Sequence, residues 1–368
     1  MRSPARRQQD KRQQQNSSVM GQRLFLARPH VLSIFILLLG GLGFRQCTDA
    51  LSLFGKGAVS RRSLIEKTCA ASFLITANAA GADPVYAIDG VSLTVPKDKS
   101  VLVLGANGGT GNECVSALLN KGRSCIATSR SGELKYQDMY KENTLFSASA
   151  KAIDVTSIEN LESAIGKETS MNVGAVIFAA SASTKGGNAD AVDKQGVINA
   201  AKCCIANDIP RLVIVSSGTV TRPDSAVYKL LNLVGKGIME AKITGEDAVR
   251  DMYAIPEVRT KGLGYTIVRP GGLTTGPSLG ASALELNQGD NKSGRLSRAD
   301  VAEICVNCLD SPYTFDVTFE CYEADTAKPV ESVGISNIMK STDATAFKSG
   351  KEHLGETWEE LFNGLSRD

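Results

Sequence analysis

The run Val101-Leu102-Val103-Leu104-Gly105-Ala106-Asn107-Gly108-Gly109-Thr110-Gly111 constrains this chain more than any other segment. Four consecutive apolar residues closed by a glycine predict a short strand buried on both faces. Asn112 to Leu119 is helix-like, which places the glycines at a strand-to-helix corner. Glycine permits the tight turn, and it lets backbone N–H groups approach an anion at the positive end of the helix. The spacing is G-x-x-G-x-x-G rather than G-x-G-x-x-G. A sharp corner alone would also use glycine. The apolar strand before it and the helix after it are the setting that a dinucleotide pyrophosphate requires. Gly105, Ala106, Asn107, Gly108, Gly109, Thr110 and Gly111 therefore form the candidate cofactor loop.

The same alternation continues. Ser124 to Thr128 and Ala150 to Val155 are candidate strands two and three; Val173 to Ala179 and Arg211 to Ser216 follow, separated by a helical stretch from Ala189 to Asn207. Strand, helix, strand at this spacing predicts an α/β fold, a Rossmann-type doubly wound parallel sheet. The second strand ends in Ser129-Arg130, about 25 residues after Gly105, where NAD-binding proteins carry an acid for the ribose 2′-OH. Arg130 suits a 2′-phosphate and hence NADP(H); the plainer reading is an exposed loop arginine. Asp154 has two readings as well. It can accept a hydrogen bond from the adenine amino group, or cap a helix beginning near Ser157.

Taken together, the glycine loop, Arg130, Asp154-Val155-Thr156, the segment ending in Ala179-Ala180-Ser181 and the Val-Ser-Ser-Gly run at Ser216-Ser217 resemble an atypical short-chain dehydrogenase/reductase. Thr266 to Leu273, which contains Arg269-Pro270-Gly271, and Ser297-Arg298-Ala299-Asp300-Val301-Ala302 are similar to its NAD(P)-binding, NmrA-like branch, which includes a plastid translocon component. The resemblance covers roughly residues 98–324. It implies that Ala179, Ala180, Pro270 and Gly271 border the cofactor, the last two at the nicotinamide. Catalytic members place a Tyr four residues before a Lys, which lowers the Tyr pKa for proton transfer. Here Lys242 has Ile238 at that position, and Tyr228 has Asn232 four residues on. The Tyr relay is absent. Lys242 resembles the ribose-binding Lys of the family; its other reading is a solvated pair with Glu246.

Charge and residue counts exclude other classes. Residues 1–87 hold twelve Lys/Arg against four Asp/Glu, leaving 29 against 35 in the remainder. An acidic body argues against nucleic acid as a partner, because phosphate binding needs a basic surface. His30 and His353 are the two histidines, too few for His-based triads or His-rich metal sites, and no metal ligand set is predicted. Cys305-x-x-Cys308 lacks a second pair or a nearby His, so it reads as a buried helix face rather than a metal or redox motif. Ser297 and Asp300 make an S-x-x-D cap for that helix.

The basic leader reads as targeting sequence. Val31 to Phe44 is a 14-residue apolar run with Arg23 and Arg28 before it, which predicts a signal peptide over residues 1–50 with cleavage before Leu51. Over 51–87, Ser60-Arg61-Arg62-Ser63-Leu64 precedes a weakly apolar stretch ending at Val85-Tyr86-Ala87. This resembles a twin-arginine signal cleaved before Ile88, and it equally suits a basic, Ser/Ala-rich transit peptide. Both readings give a plastid (chloroplast) protein, in the thylakoid lumen or the stroma respectively, with no transmembrane segment in the mature chain. The predicted domains are 88–324, the NAD(P)-binding Rossmann domain, and 325–368, an extension. In the latter, Leu354, Trp358, Leu361, Phe362 and Leu365 mark an amphipathic helix that docks on its own domain or on a partner or membrane.

Two functions fit these residues. One is an NADP(H)-dependent reductase-like protein acting on a small apolar substrate such as a quinone, flavin or tetrapyrrole, with protons from water or from Ser216 and Ser217. The other is a non-catalytic NADP(H)-responsive scaffold or assembly factor for a protein of the photosynthetic membrane.

Overall fold

A computed structural model describes residues 87–88, 91–149, 152–166, 172–183, 187–333 and 348–368. Residues 1–86 of the leader, with the expected cleavage before Leu51, lie outside them, whereas the expected cleavage before Ile88 falls inside the described pair Ala87–Ile88, a two-residue strand paired with Val91–Ser92. Among the described residues no helix is long and apolar enough to cross a membrane.

Strand β1 (Ser100–Leu104) forms where its apolar run predicts, with Val101 to Leu104 fully buried. Successive side chains of a strand point to opposite faces. Val101 and Val103 accordingly enter one core cluster, and Leu102 and Leu104 the other. Helix α1 (Gly109–Asn120), β2 (Cys125–Ala127), β3 (Phe146–Ala148), α2 (Ile158–Ile165) and β4 (Val173–Phe178) follow. A π-helical stretch, Asp190–Gly196, runs into α3 (Val197–Ala206), and then come β5 (Arg211–Val215), α4 (Ala226–Val234), α5 (Ile238–Tyr253) and β6 (Gly264–Pro270). The chain continues through β7 (Gly272–Thr274), β8 (Leu284–Asn287), β9 (Arg295–Ser297), α6 (Arg298–Cys308), β10 (Val317–Glu323), β11 (Glu352–His353) and α7 (Trp358–Phe362).

The main sheet runs β11-β8-β10-β6-β5-β4-β1-β2-β3. All strands from β10 to β3 are parallel, and β8 and β11 add an antiparallel edge. From β1 the chain winds outward to β2 and β3, whereas β4, β5 and β6 wind the other way. The crevice beyond the C-terminal ends of β1 and β4 is thus the topological switch point, where open α/β sheets bind ligands.

Strand three is not where its pattern suggested. Phe146–Ala148 pairs with β2, while Ile153 and Val155 are buried in an irregular segment against α2 and α3. Their alternation reflects packing under helices, since Ile153 N–H bonds to the Ser129 carbonyl instead of joining a ladder. At the C-terminus, the Thr357 hydroxyl and Glu360 carboxylate form a capping box that starts α7. Leu361 and Phe362 are fully buried, and the ring of the half-buried Trp358 lies tilted 5.9 Å from that of Phe362, so this helix docks on its own domain. The Ser297 hydroxyl accepts from Asp300 N–H at 2.9 Å and starts α6. Cys305 and Cys308 lie on its buried face, and burial pushes the Cys308 thiol up to about 12.

Candidate functional site

The glycine loop closes the switch point because its glycines meet backbone. Gly105 has φ of +87°, and a Cβ there would stand 2.8 Å from Ala180 Cα, so the loops after β1 and β4 touch. A Cβ on Gly111 would lie 2.2 Å from the Gly105 carbonyl oxygen, which lets α1 pack directly on the turn. Gly108 N–H bonds to the Gly105 carbonyl, and Ala106 N–H to that of Thr128. Gly108 then serves as N-cap without a side-chain cap. The first turn of α1, with Thr110 buried in it, presents N–H groups that no side chain satisfies. An anion suits that end electrostatically.

Asn107 builds the neighbouring wall. Its Nδ2 donates to the Glu133 carbonyl at 2.7 Å, and its Oδ1 accepts from Lys135 N–H at 2.8 Å. Ser129 also donates to the Glu133 carbonyl, so the loop carrying Arg130 is fastened at both ends. Arg130 is exposed, and among the described residues it makes no ion pair. Asp154 is not the cap of α2. Ser157 is, accepting from Asn160 N–H, while Asp154 Oδ1 accepts from the N–H and hydroxyl of Thr156 in a tight turn.

At the ends of β5 and β6 the polar groups are committed to one another. The Ser216 hydroxyl donates to Glu246 Oε1 at 2.5 Å. The buried Glu246 also accepts from Arg269 at 2.5 Å and Arg250 at 2.9 Å. Burial opposes the charge on Arg269, but Glu246 and Glu320 more than offset it and raise its pKa. Burial pushes Glu320 up to about 7, reinforced by Asp290 and opposed by Arg269. Ser217 donates to the Gly218 carbonyl at 3.1 Å. Ser216, Ser217, Pro270 and Gly271 line one cavity of about 550 Å3, with Val227, Leu230, Leu231 and Leu273 as its apolar wall.

Lys242 lies outside that lining, and it does not pair with Glu246. Its Nζ is 2.8 Å from Asp193 Oδ1, and the two side chains are only 12% and 0% exposed. Asp193 also accepts from the Ser181 hydroxyl at 2.7 Å and Ala182 N–H at 2.8 Å. Gly245 makes this possible: a Cβ there would stand 2.9 Å from the Asp193 carbonyl oxygen, so α5 rests directly on the π-helical stretch. The i, i+4 spacing of Lys242 and Glu246 suggested a surface pair, but α5 is covered on two sides, and each residue turns to a different neighbour.

Sequence reasoning missed Asp193, Glu246 as the partner of Ser216, and Arg298. Asp193 is an ordinary acid in a helical run and carries no local signal. Arg298 had one, as the sole cation in the Ser297 to Ala302 motif. Its side chain crosses to α1, where a Cβ on Gly109 would lie 2.8 Å from its Cδ.

The geometry fits a nicotinamide dinucleotide: a glycine-only approach, an uncapped helix end and a cavity at neighbouring strand ends. A family model described as NAD(P)H-binding matches residues 105–312, from the first glycine of the loop to beyond α6. An uncharacterized chloroplastic protein of Arabidopsis thaliana is 30% identical over 214 residues, 58% of this chain and 72% of that protein. A chloroplastic Arabidopsis thaliana protein named for a high chlorophyll fluorescence phenotype is 40% identical over 87 residues, 23% of this chain but 13% of its own length. Among solved structures, a putative NAD-dependent epimerase/dehydratase from Bacillus halodurans is 24% identical, with 63% of this chain and 97% of that one covered at a TM-score of 0.47. With the family model spanning more than half its length, the chain belongs to the NAD(P)H-binding family.

Proposed function

We propose that this protein is a plastid NADP(H)-dependent reductase that passes hydride to a small apolar acceptor of the quinone, flavin or tetrapyrrole class. The observation that carries this reading is the cavity of about 550 Å3 at the ends of β5 and β6, whose Val227, Leu230, Leu231 and Leu273 wall suits an apolar ring system. When bound, NADPH would supply the hydride for an acceptor held in this cavity, and water would supply the proton. Gly105 to Gly111 hold the pyrophosphate, Arg130 the 2′-phosphate, and Asp154 with Ala179 and Ala180 the adenosine side. Pro270 and Gly271 border the nicotinamide. Lys242 supports the ribose while staying paired to Asp193. The chloroplastic relatives and the basic leader support the plastid assignment. Lumen or stroma follows from whether the twin-arginine or the transit reading of residues 51–87 holds.

The test is NADPH oxidation by the purified protein with a short-chain quinone, a free flavin and a linear tetrapyrrole. Turnover with one of them, dependent on NADPH and not NADH, is expected; none with any acceptor despite tight NADPH binding would sink the reductase reading. That outcome favours a second one, an NADP(H)-responsive scaffold for a photosynthetic-membrane protein. Ile238 in place of the phenol and the neutralised Lys242 support it, as does the partial relative named for its chlorophyll fluorescence phenotype. Co-purification with a membrane complex that NADPH strengthens or releases would establish it.

A further inference from the structure

Arg298 follows the N-cap Ser297 at the first position of α6. Its half-buried side chain runs across to the start of α1 rather than to solvent, with Cδ and Nε 2.8 and 2.9 Å from where a Gly109 Cβ would be. Nη1 donates to the Thr274 carbonyl at 3.1 Å. Among the described residues no carboxylate lies within ion-pairing distance of its guanidinium. The nearest acid in sequence, Asp300, is occupied by Ser278, Leu279, Gly280 and Ser297.

By itself this placement is unfavourable. The N-terminal end of a helix carries partial positive charge, so a cation there is repelled. Arg298 sits in the first turn of its own helix and against the uncapped first turn of α1. Two helix ends and a guanidinium therefore converge, while Asp300 in the first turn of α6 is turned to Ser278, Leu279, Gly280 and Ser297 and Glu113 makes no ion pair with the guanidinium among the described residues. An anion at that point is attracted by the guanidinium and by both helix ends, and these attractions offset their mutual repulsion. A cavity of about 460 Å3 opens there, walled by Gly109, Tyr136, Gly276 and Arg298, and its one acid, Glu113, makes no ion pair with Arg298.

We propose that Arg298 is a binding residue for the cofactor diphosphate, holding it beside the first-turn N–H groups of α1. The inference rests on the dinucleotide reading of the glycine loop. Gly109 has its own part in it: any side chain at that position would occupy the space through which Arg298 reaches. Because the diphosphate is common to both cofactors, Arg298 contributes affinity without discriminating between them, unlike Arg130.

The test is calorimetric binding of NADPH, NADH and adenosine 2′-monophosphate to the full chain, the last by competition with NADPH. Loss of one charged hydrogen-bonding group corresponds to about 10- to 100-fold in affinity. Arg298→Ala is expected to weaken NADPH and NADH by the same factor in that range, and to leave adenosine 2′-monophosphate, which has no diphosphate, unchanged. Arg298→Gln, which keeps a donor for the Thr274 carbonyl, is expected to lose as much, and Arg298→Lys to retain part. Equal weakening of all three ligands would show a packing role and overturn the diphosphate contact; so would wild-type affinity for NADPH in Arg298→Gln. Wild-type protein that binds neither nicotinamide nucleotide would overturn the cofactor reading and the diphosphate contact with it, which separates that failure from the others.

Discussion

Replacing Lys242 by Met tests how α5 is held. The methionine keeps most of the stem volume and removes the ammonium, leaving Asp193 with no exposed side-chain surface and no counter-charge. Breaking a buried ion pair by removing one partner costs about 3 to 5 kcal/mol. Asp193 keeps its hydrogen bonds from Ser181 and Ala182, which places the expected loss near the lower end, at about 3 kcal/mol. In a domain of this size each kcal/mol moves the melting temperature by roughly 2 °C, so a fall of about 6 °C is expected. Asp193→Asn combined with Lys242→Met removes both charges, and a double-mutant cycle should return a coupling of about 2 kcal/mol. Urea midpoints and thermal melts measure these differences. Lys242→Met within about 0.5 kcal/mol of wild type, the range of an ordinary surface substitution, would refute the argument that the pair is buried and structural. Where turnover is present, it should stay within about tenfold of wild type at saturating NADPH, the signature of lost uniform binding. A fall of roughly a thousandfold or more would expose a proton relay through Lys242.

Other outcomes follow from single contacts. Arg130→Ala should weaken NADPH about 10- to 100-fold and barely change NADH; equal loss for both would remove the 2′-phosphate assignment. Gly111→Ala would drive a Cβ to 2.2 Å from the Gly105 carbonyl oxygen, so α1 must shift, with about 1 to 3 kcal/mol of overpacking and loss of measurable NADPH binding by calorimetry. Burial pushes Asp316 up to about 6, above its unfolded value of 3.8. Its folded state therefore holds a proton that the unfolded state has released, and its contribution to stability is full below the unfolded value and lost as pH rises through about 6. Asp316→Asn, which tolerates the φ of 55° there, should remove that component from urea midpoints measured between pH 4 and 7; an unchanged slope would disprove it.

Most of the sheet was legible because parallel strands buried on both faces are written as continuous apolar runs. Val101 to Leu104, Val173 to Phe178 and Arg211 to Val215 all lie where the runs lie. Phe146–Ala148 was not legible, because a short strand near the sheet edge needs little apolar content, and the stronger pattern at Ile153 and Val155 belongs to a loop pinned under helices. The site divides in the same way. A glycine loop is local and can be read from seven residues, as can the Ser297 and Asp300 cap. Partnerships between distant segments cannot. Lys242 meets Asp193 because Gly245 brings α5 onto the π-helical stretch, and Arg298 meets Gly109 because α6 packs beside α1. Residue type at one position says nothing about which segment will face it.

The missing phenol and the neutralised lysine bear on one another. In a Tyr-dependent site the ammonium must act on a phenol, lowering its pKa, and a carboxylate bonded to that ammonium offsets the effect. Here Ile238 removes the phenol and Asp193 holds the lysine. The hydroxyls at the cavity are engaged too: the proton of Ser216 goes to a carboxylate held by two guanidiniums, and that of Ser217 to a backbone carbonyl. A side chain whose proton is already donated to a stronger acceptor cannot readily give it to a substrate carbonyl. Such a site favours acceptors whose reduced form is a stabilised anion, as with quinones and flavins, because protonation can then follow from water after hydride transfer. Simple ketones and aldehydes, which develop localised alkoxide charge and need a proton donor in the transition state, should turn over at least about a hundredfold more slowly than a quinone of similar potential. A rate for an aliphatic aldehyde equal to that for the quinone would mean that a donor absent from this arrangement enters the cavity.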